Sequence, residues 1–333
     1  MKQIKVGDNE AGQRLDKLIS KILNKATKSF IYKMLRKKNI VLDDKKASGN
    51  EKLVIGDEIK IYLSDDTFEK FSEKNSVDFC KTKEKKEHLN IIYEDKNIMF
   101  INKQVGMLSQ RDSKDSVSVV EYLIQYMLEN KQIDNEQLKS FRPSVCNRLD
   151  RNTSGLIVAG KSLVGLQTMS EYIKNKTVSK YYLAIVKGVV TKKKLISGSL
   201  IKDNTSNKVT VLNGKDSLKD SAIIKTEYEP IASSKEYTLL KIKLITGKTH
   251  QIRAHLASVG HPLVGDYKYG DRKTNDYFKK KYNVSYQMLH SYQLVFPKLQ
   301  EDILGMSEKV ISAKIPKNFE RIVKDNIGDI KLD

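Results

Sequence analysis

The stretch Asn147-Arg148-Leu149-Asp150-Arg151-Asn152-Thr153-Ser154-Gly155 runs directly into Leu156-Ile157-Val158-Ala159. A basic, polar turn ending in glycine is followed at once by a continuous apolar run, which reads as a buried strand. A fold for this chain must therefore hold Asp150, flanked by two guanidinium groups, in the loop that feeds that strand. Neighbouring positive charge favours a carboxylate in its charged form. A fixed carboxylate of that kind can act as a nucleophile or a base. Taken alone, an Arg-Leu-Asp-Arg run is more often a surface ion pair or a turn, so the rest of the chain decides.

At 333 residues the chain predicts two domains. Its hydrophobic fraction of 39% excludes compositional disorder. The net charge of +20 points to a polyanionic partner, nucleic acid first, although a lysine-rich proteome would give the same excess. Cys80 and Cys146 form no CxxC and no zinc pattern, which fits a reduced, cytoplasmic protein. Met1-Lys2-Gln3-Ile4-Lys5-Val6 has no apolar signal core. No apolar run approaches the roughly 20 residues a membrane span needs, so no membrane partner is expected.

The positive charge is concentrated at the start: residues 1–64 hold 15 Lys and Arg against 8 Asp and Glu. Leu15, Leu18, Ile19 and Ile22 give one apolar helical face. Lys17, Lys21, Lys25 and Lys28 form a stripe opposite. A second helix is expected from Thr27 or Ser29, either a suitable cap, burying Ile31, Met34 and Leu35. It ends in Arg36-Lys37-Lys38-Asn39, where cations suit the helix dipole and Asn39 can take the left-handed closing conformation. Short strands follow at Ile40-Val41-Leu42 and from Gly56 to Tyr62. Residues 65–87 are charged, lack glycine and proline, and read as a linker to a second domain over 88–333.

There the pattern predicts a strand at Asn97–Asn102, a helix from Val117 to Glu129 and a helical face at Leu163, Leu166, Met169 and Ile173. Further strands are expected at Lys180–Val186 and Leu240–Leu244, and a helix over Thr249–Val259. Segments 202–222 and 270–286 look like hairpin or surface insertions. The order is mixed rather than strictly βαβ, which predicts an α+β domain.

The Asp150 run closely resembles the His-Arg-Leu-Asp-Arg-Asp-Thr-Ser-Gly-Leu signature of the ribosomal large-subunit (RluA-family) pseudouridine synthases. Only Asn147 and Asn152 depart from it. Lys180-Tyr181-Tyr182-Leu183-Ala184 resembles that family's Lys-x-Tyr-x-Ala strand. Thr246-Gly247-Lys248-Thr249-His250-Gln251-Ile252-Arg253 resembles its Thr-Gly-Arg-Thr-His-Gln-Ile-Arg segment, and continues into Gly260 to Gly270. The run from Asn90 to Met107 is similar to its opening strand and turn. Residues 1–64 resemble, less closely, the S4 (α-L) RNA-binding domain, through Arg14 to Leu18, Ser29, the basic helix end and Gly56-Asp57; Asp43-Asp44 stands where Asn-Gly is usual.

The resemblance implies a pseudouridine synthase fold, with a mixed, largely antiparallel sheet, a catalytic cleft and a small S4 domain in front. It implies isomerisation of uridine to pseudouridine in 23S ribosomal RNA, and Arg151 leans toward the RluC-like branch. Asp150 would be the nucleophile or base, and Arg253 would pair with it. Tyr182 would stack on the flipped uracil, Arg148 would contact the strand near the emptied base position, and Leu289 of Leu289-His290 would pack at the uracil pocket. A core tyrosine and a core leucine are the plain readings of those two residues. Lys17, Lys21, Lys28, Lys33, Arg36, Lys37 and Lys38 are the candidate RNA contacts.

Tempting alternatives fail on spacing. Ile242 stands where a phosphate loop ending in Gly247-Lys248-Thr249 needs its first glycine, and His250 and His255 are five apart rather than four. A metal-free, cofactor-free monomer is expected. The competing functions are an inactive S4-type ribosome assembly factor and a glycoside hydrolase. The latter would need a second positioned carboxylate, for which Asp266 is the candidate.

Overall fold

The computed structural model describes residues 1–72, 88–113, 115–203, 208–212 and 221–330. After an opening strand come two helices, α1 (Leu15–Ile22) and α2 (Lys28–Arg36). Thr27 caps α2, its side chain accepting from the Phe30 N–H. The predicted apolar faces are buried: Leu15, Leu18 and Ile19 meet Ile31, Met34 and Leu35 over Ile40, Ile59 and Ile61. The strands form a four-stranded antiparallel sheet in the order Lys2–Lys5, Glu58–Ile61, Ile40–Leu42, Lys45–Lys46. Asp43 and Asp44 both have positive φ (49° and 60°), the two-residue hairpin turn that Asn-Gly usually makes. The left-handed residue closing α2 is Lys38 (φ 60°), not Asn39.

The first residues of the segment read as a linker are helical. A third helix, α3 (Asp65–Phe71), is capped by Ser64, and its Phe68 and Phe71 pack on the N-terminal core. The rings of Phe71 and Phe30 lie 4.3 Å apart. The charges of α3 hid two aromatic residues that anchor it to the first unit. Residues 73–87, Cys80 among them, lie outside the described residues.

The rest builds a mixed, largely antiparallel sheet with flanking helices, an α+β arrangement as expected. Among the described residues its main path runs Lys208–Leu212, Lys194–Asp203, Ala222–Ser233, Tyr237–Leu244, Ser179–Lys187, Leu289–Val295, Ser154–Gly160, Ile98–Lys103, Ile91–Glu94. One neighbouring pair is parallel, His290-Ser291 beside Ser154-Gly155. Strand Ser154–Gly160 is buried throughout, and its Leu156–Ala159 run is apolar because both its faces are covered. Ile157 and Ala159 join one core cluster, Leu156 and Val158 another. Gly155 has to be glycine: at φ +108°, a Cβ there would lie 2.1 Å from the Ser291 carbonyl oxygen.

Two helices differ from expectation. The one read from Val117 begins at Val119, where Ser118 and Glu121 form a capping box. Part of 270–286, read as a surface insertion, is the helix Arg272–Tyr282. Asp271 caps it and Phe278 and Tyr282 are buried, an apolar pair one turn apart beside Lys279-Lys280-Lys281. Segment 202–222 does contribute a hairpin arm, Lys208–Leu212 pairing antiparallel with Ser199–Asp203. No helix among the described residues is long and apolar enough to cross a membrane.

Two histidines are locked into this fold in the neutral state. His290 is fully buried between Ser154 Oγ (2.8 Å) and the Ala313 carbonyl (3.2 Å), and His255 Nδ1 lies 3.0 Å from Thr226 Oγ1. Burial pulls both down to about 4. An unfolded chain protonates its histidines near 6.5, so acid favours unfolding between about 6.5 and 4 by up to roughly 1.4 kcal/mol per pH unit and histidine. Their contribution to stability is fully present above the unfolded value and lost by about pH 4. Urea midpoints should therefore fall steadily from pH 7 to pH 5, and His290→Gln should flatten that slope.

Candidate active site

The loop before strand Ser154–Gly160 is fixed by groups distant in sequence. Ser109 Oγ donates to the Leu149 carbonyl (2.7 Å) and accepts from the Leu149 N–H (3.0 Å). Lys103, 1% exposed, donates from Nζ to the carbonyls of Gln104, Met107 and Arg151, each at 2.9 Å. One ammonium thus ties the 104–107 turn to the residue after Asp150. Burial pulls this lysine down to about 7, and the Asp150 charge opposes that shift. Asn147, where the signature has histidine, bridges to the strand: its side chain donates to the Leu156 carbonyl (3.2 Å) and accepts from the Val158 N–H (2.8 Å).

Asp150 is left reaching into the cleft, its side chain 28% exposed. Arg253 Nη1 donates to Asp150 Oδ2 at 2.8 Å, and Oδ1 has no partner among the described residues. Arg253 sits in the first turn of the helix Gln251–Ser258 and is itself clamped. Its Nε and Nη2 donate to Asp266 Oδ2 and Oδ1 at 2.7 and 2.9 Å, and its guanidinium lies 5.2 Å from the Tyr269 ring centre. Burial disfavours the Arg253 charge, but the hydrogen bonds to Asp266 and Asp150 outweigh it and raise the pKa.

Asp266, 1% exposed, also accepts from the backbone N–H groups of Lys268 and Tyr269. A carboxylate used up in this way is not the free second acid a glycoside hydrolase needs. His250 completes the polar wall: its Nε2 is 3.8 Å from Asp150 Oδ2 and its Nδ1 2.9 Å from the Tyr269 hydroxyl. Burial lowers the His250 pKa and the Asp150 charge counters it.

The apolar wall is the core cluster containing Leu149, Tyr182 and Leu289. Tyr182 is 6% exposed and Leu289 5%. Burial pushes the Tyr182 phenol up to about 12, against its hydrogen bond with Ser291. Arg148 is exposed, without an ion pair among the described residues. The structure thus gathers Asp150, Arg253, Tyr182 and Leu289 at one place. Lys103 and Tyr269 are partners that no local sequence pattern singles out; Asp266 enters the sequence reading only as a possible second acid, and His250 only as a metal ligand.

Lys17, Lys28, Lys33, Arg36, Lys37 and Lys38 are exposed on the N-terminal unit. Lys21 is not part of that free surface: its Nζ donates to Gln13 Oε1 (2.5 Å) and, across to the second unit, to the Ser140 carbonyl (3.2 Å). Asn9 adds a contact there, accepting from the Leu163 N–H at 3.1 Å.

Residues 97–258 match the model of a family described as RNA pseudouridylate synthase. An uncharacterised RNA pseudouridine synthase of Mycoplasma genitalium is 33% identical over 94% of this chain and 95% of its own length. A ribosomal large subunit pseudouridine synthase C of Rickettsia bellii is 31% identical over 93% and 96%. Among solved structures, human RNA pseudouridylate synthase domain containing 4 superposes with a TM-score of 0.55 at 22% identity, over 70% of this chain and 91% of the other, a likeness of fold.

Proposed function

Since the chain belongs to the RNA pseudouridylate synthase family, we propose that it converts uridine to pseudouridine in large-subunit ribosomal RNA, with Asp150 as the reacting carboxylate. The observation that carries this reading is the Asp150 side chain itself. It is held by one oxygen on a clamped arginine and offers its other oxygen to the cleft. The family reaction detaches the uracil, turns it and reattaches it through carbon. A carboxylate fixed on one side can attack the sugar or take a proton without moving.

Tyr182 and Leu289 would form the floor under the flipped base, and the exposed guanidinium of Arg148 would face the strand it leaves. Relatives named for the large ribosomal subunit favour ribosomal RNA as substrate and cytoplasmic action. One chain carries the whole set of cleft groups, so a monomer suffices. The inactive assembly-factor reading has no observation in its favour. The test is to incubate the purified protein with 23S ribosomal RNA and map pseudouridines by chemical modification. Formation at discrete positions supports the reading, and none on naked RNA or on assembling subunits overturns it.

The N-terminal unit would act as an S4-type RNA-binding domain through its exposed cations. Replacing Lys28, Lys33, Arg36 and Lys37 by serine should weaken RNA binding. It should also flatten the log–log salt dependence by about 0.7 per lost single-strand phosphate contact. The rate at saturating RNA should be unaffected. An unchanged salt slope would show that this surface does not touch phosphate.

A further inference from the structure

Tyr269 and His250 have no part in the chemistry assigned so far, yet both are built into the cleft. Besides lying against Arg253, the Tyr269 ring stands edge-on to His250, centroids 5.6 Å apart. The Tyr269 hydroxyl accepts from the Val209 N–H at 2.9 Å and lies 2.9 Å from His250 Nδ1. A phenol carries one hydrogen. Among the described residues no acceptor other than His250 Nδ1 meets it, so the hydroxyl donates to that nitrogen. A neutral imidazole accepting at Nδ1 carries its hydrogen on Nε2.

That nitrogen lies 3.8 Å from Asp150 Oδ2. The distance is too long for a direct hydrogen bond and leaves the donor available to a group brought in beside the carboxylate. His250 is also held at φ 53°, the left-handed region, at the head of the helix Gln251–Ser258, where its side chain caps nothing. Such strain persists when the surroundings fix a residue for another purpose.

We propose that His250 is a further catalytic residue, a neutral donor to a carbonyl of the detached uracil, and that Tyr269 is the positioning residue that sets its tautomer. This rests on the reading of the chain as a pseudouridine synthase. When the bond from the sugar to the ring nitrogen breaks, its electron pair leaves with the base. The free uracil then carries negative charge spread onto its carbonyl oxygens. It has to turn without leaving the cleft. A fixed N–H beside Asp150 stabilises that charge while the carbon edge comes round. Burial keeps the imidazole neutral; Arg253 and Lys268 act the same way, and Asp150 and Asp266 oppose them.

The experiment compares single-turnover pseudouridine formation at saturating ribosomal RNA with the nitrogen NMR shifts of labelled histidine. Wild type should show His250 with its hydrogen on Nε2. Tyr269→Phe keeps the ring against Arg253 but removes the hydroxyl. It should mix the tautomers and slow the saturated rate roughly tenfold, with RNA affinity unchanged. His250→Ala should slow it roughly a hundredfold. The double variant should be no slower than His250→Ala alone, because Tyr269 acts through His250. His250→Gln donates from an amide that has no tautomer to choose. It should keep much of the rate, lose its sensitivity to Tyr269→Phe, and carry the test should the alanine variant not fold. If wild type modifies no RNA, the underlying reading of function falls. If wild type is active but Tyr269→Phe matches it in rate and tautomer, or the two effects multiply, this proposal alone falls.

Discussion

An Asp150→Asn protein is expected to fold and bind RNA as the wild type does, and to form pseudouridine at least roughly 10⁴-fold more slowly. An amide is neither nucleophile nor base at neutral pH, so the chemical step loses its reacting group. The fold should tolerate the change. Asp150 is part-exposed, and Arg253 keeps both of its hydrogen bonds to the buried Asp266. The amide oxygen can still accept from Arg253 Nη1. The stability cost should stay on the order of 1 kcal/mol, as for a part-exposed ion pair. Single-turnover assays at saturating RNA, alongside thermal unfolding, check both halves. Near wild-type pseudouridine formation by the variant would remove Asp150 from the mechanism. A variant that is inactive because it is unfolded would leave the catalytic assignment resting on geometry alone, and Asp150→Glu would then be the variant to assay.

The parts of this site that could be read in the chain are those where local pattern and chemistry coincide. Strand Ser154–Gly160 is visible because alternate residues feed two cores, which makes every position from Leu156 to Ala159 apolar. Asp150 is visible because the loop before that strand is dense in charge. Arg253 was reachable through its motif, but its clamp was not. Asp266 lies 13 residues further on, and only the turn at Gly265 brings it back beneath the guanidinium. Lys103 gives no local sign at all: a lysine after Ile101-Asn102 reads as a solvated strand end. Its burial follows from three carbonyls contributed by two loops. The same limit hid α3 and the Arg272–Tyr282 helix, whose few apolar residues sit among charges and acquire a partner only from the tertiary fold.

Removing the Asp266 carboxylate should cost both stability and rate, and the two losses should be separable. Asp266→Ala would leave Arg253, 8% exposed, with half its charge pairing gone, and would strip the Lys268 and Tyr269 amides of their acceptor. Breaking a buried pair from one side typically costs about 3–5 kcal/mol. In a unit of this size that corresponds to a fall of roughly 10 °C in Tm. The freed guanidinium can then turn both of its nitrogens onto Asp150, occupying the oxygen otherwise open to the cleft. Misplacing a reacting group by about 1 Å can cost roughly 10²-fold in rate. That loss should appear in the saturated rate rather than in RNA affinity. Replacing both partners, Arg253→Met with Asp266→Leu, removes the unpaired charge and should recover most of the lost Tm, since a buried pair is often replaceable by packed apolar groups. Activity should not return, because Asp150 then has no cation to hold it. Recovery of rate together with Tm would mean that the clamp serves stability only and that Arg253 does not position Asp150. A wild-type Tm for Asp266→Ala would mean that the buried pair is not what organises this end of the cleft.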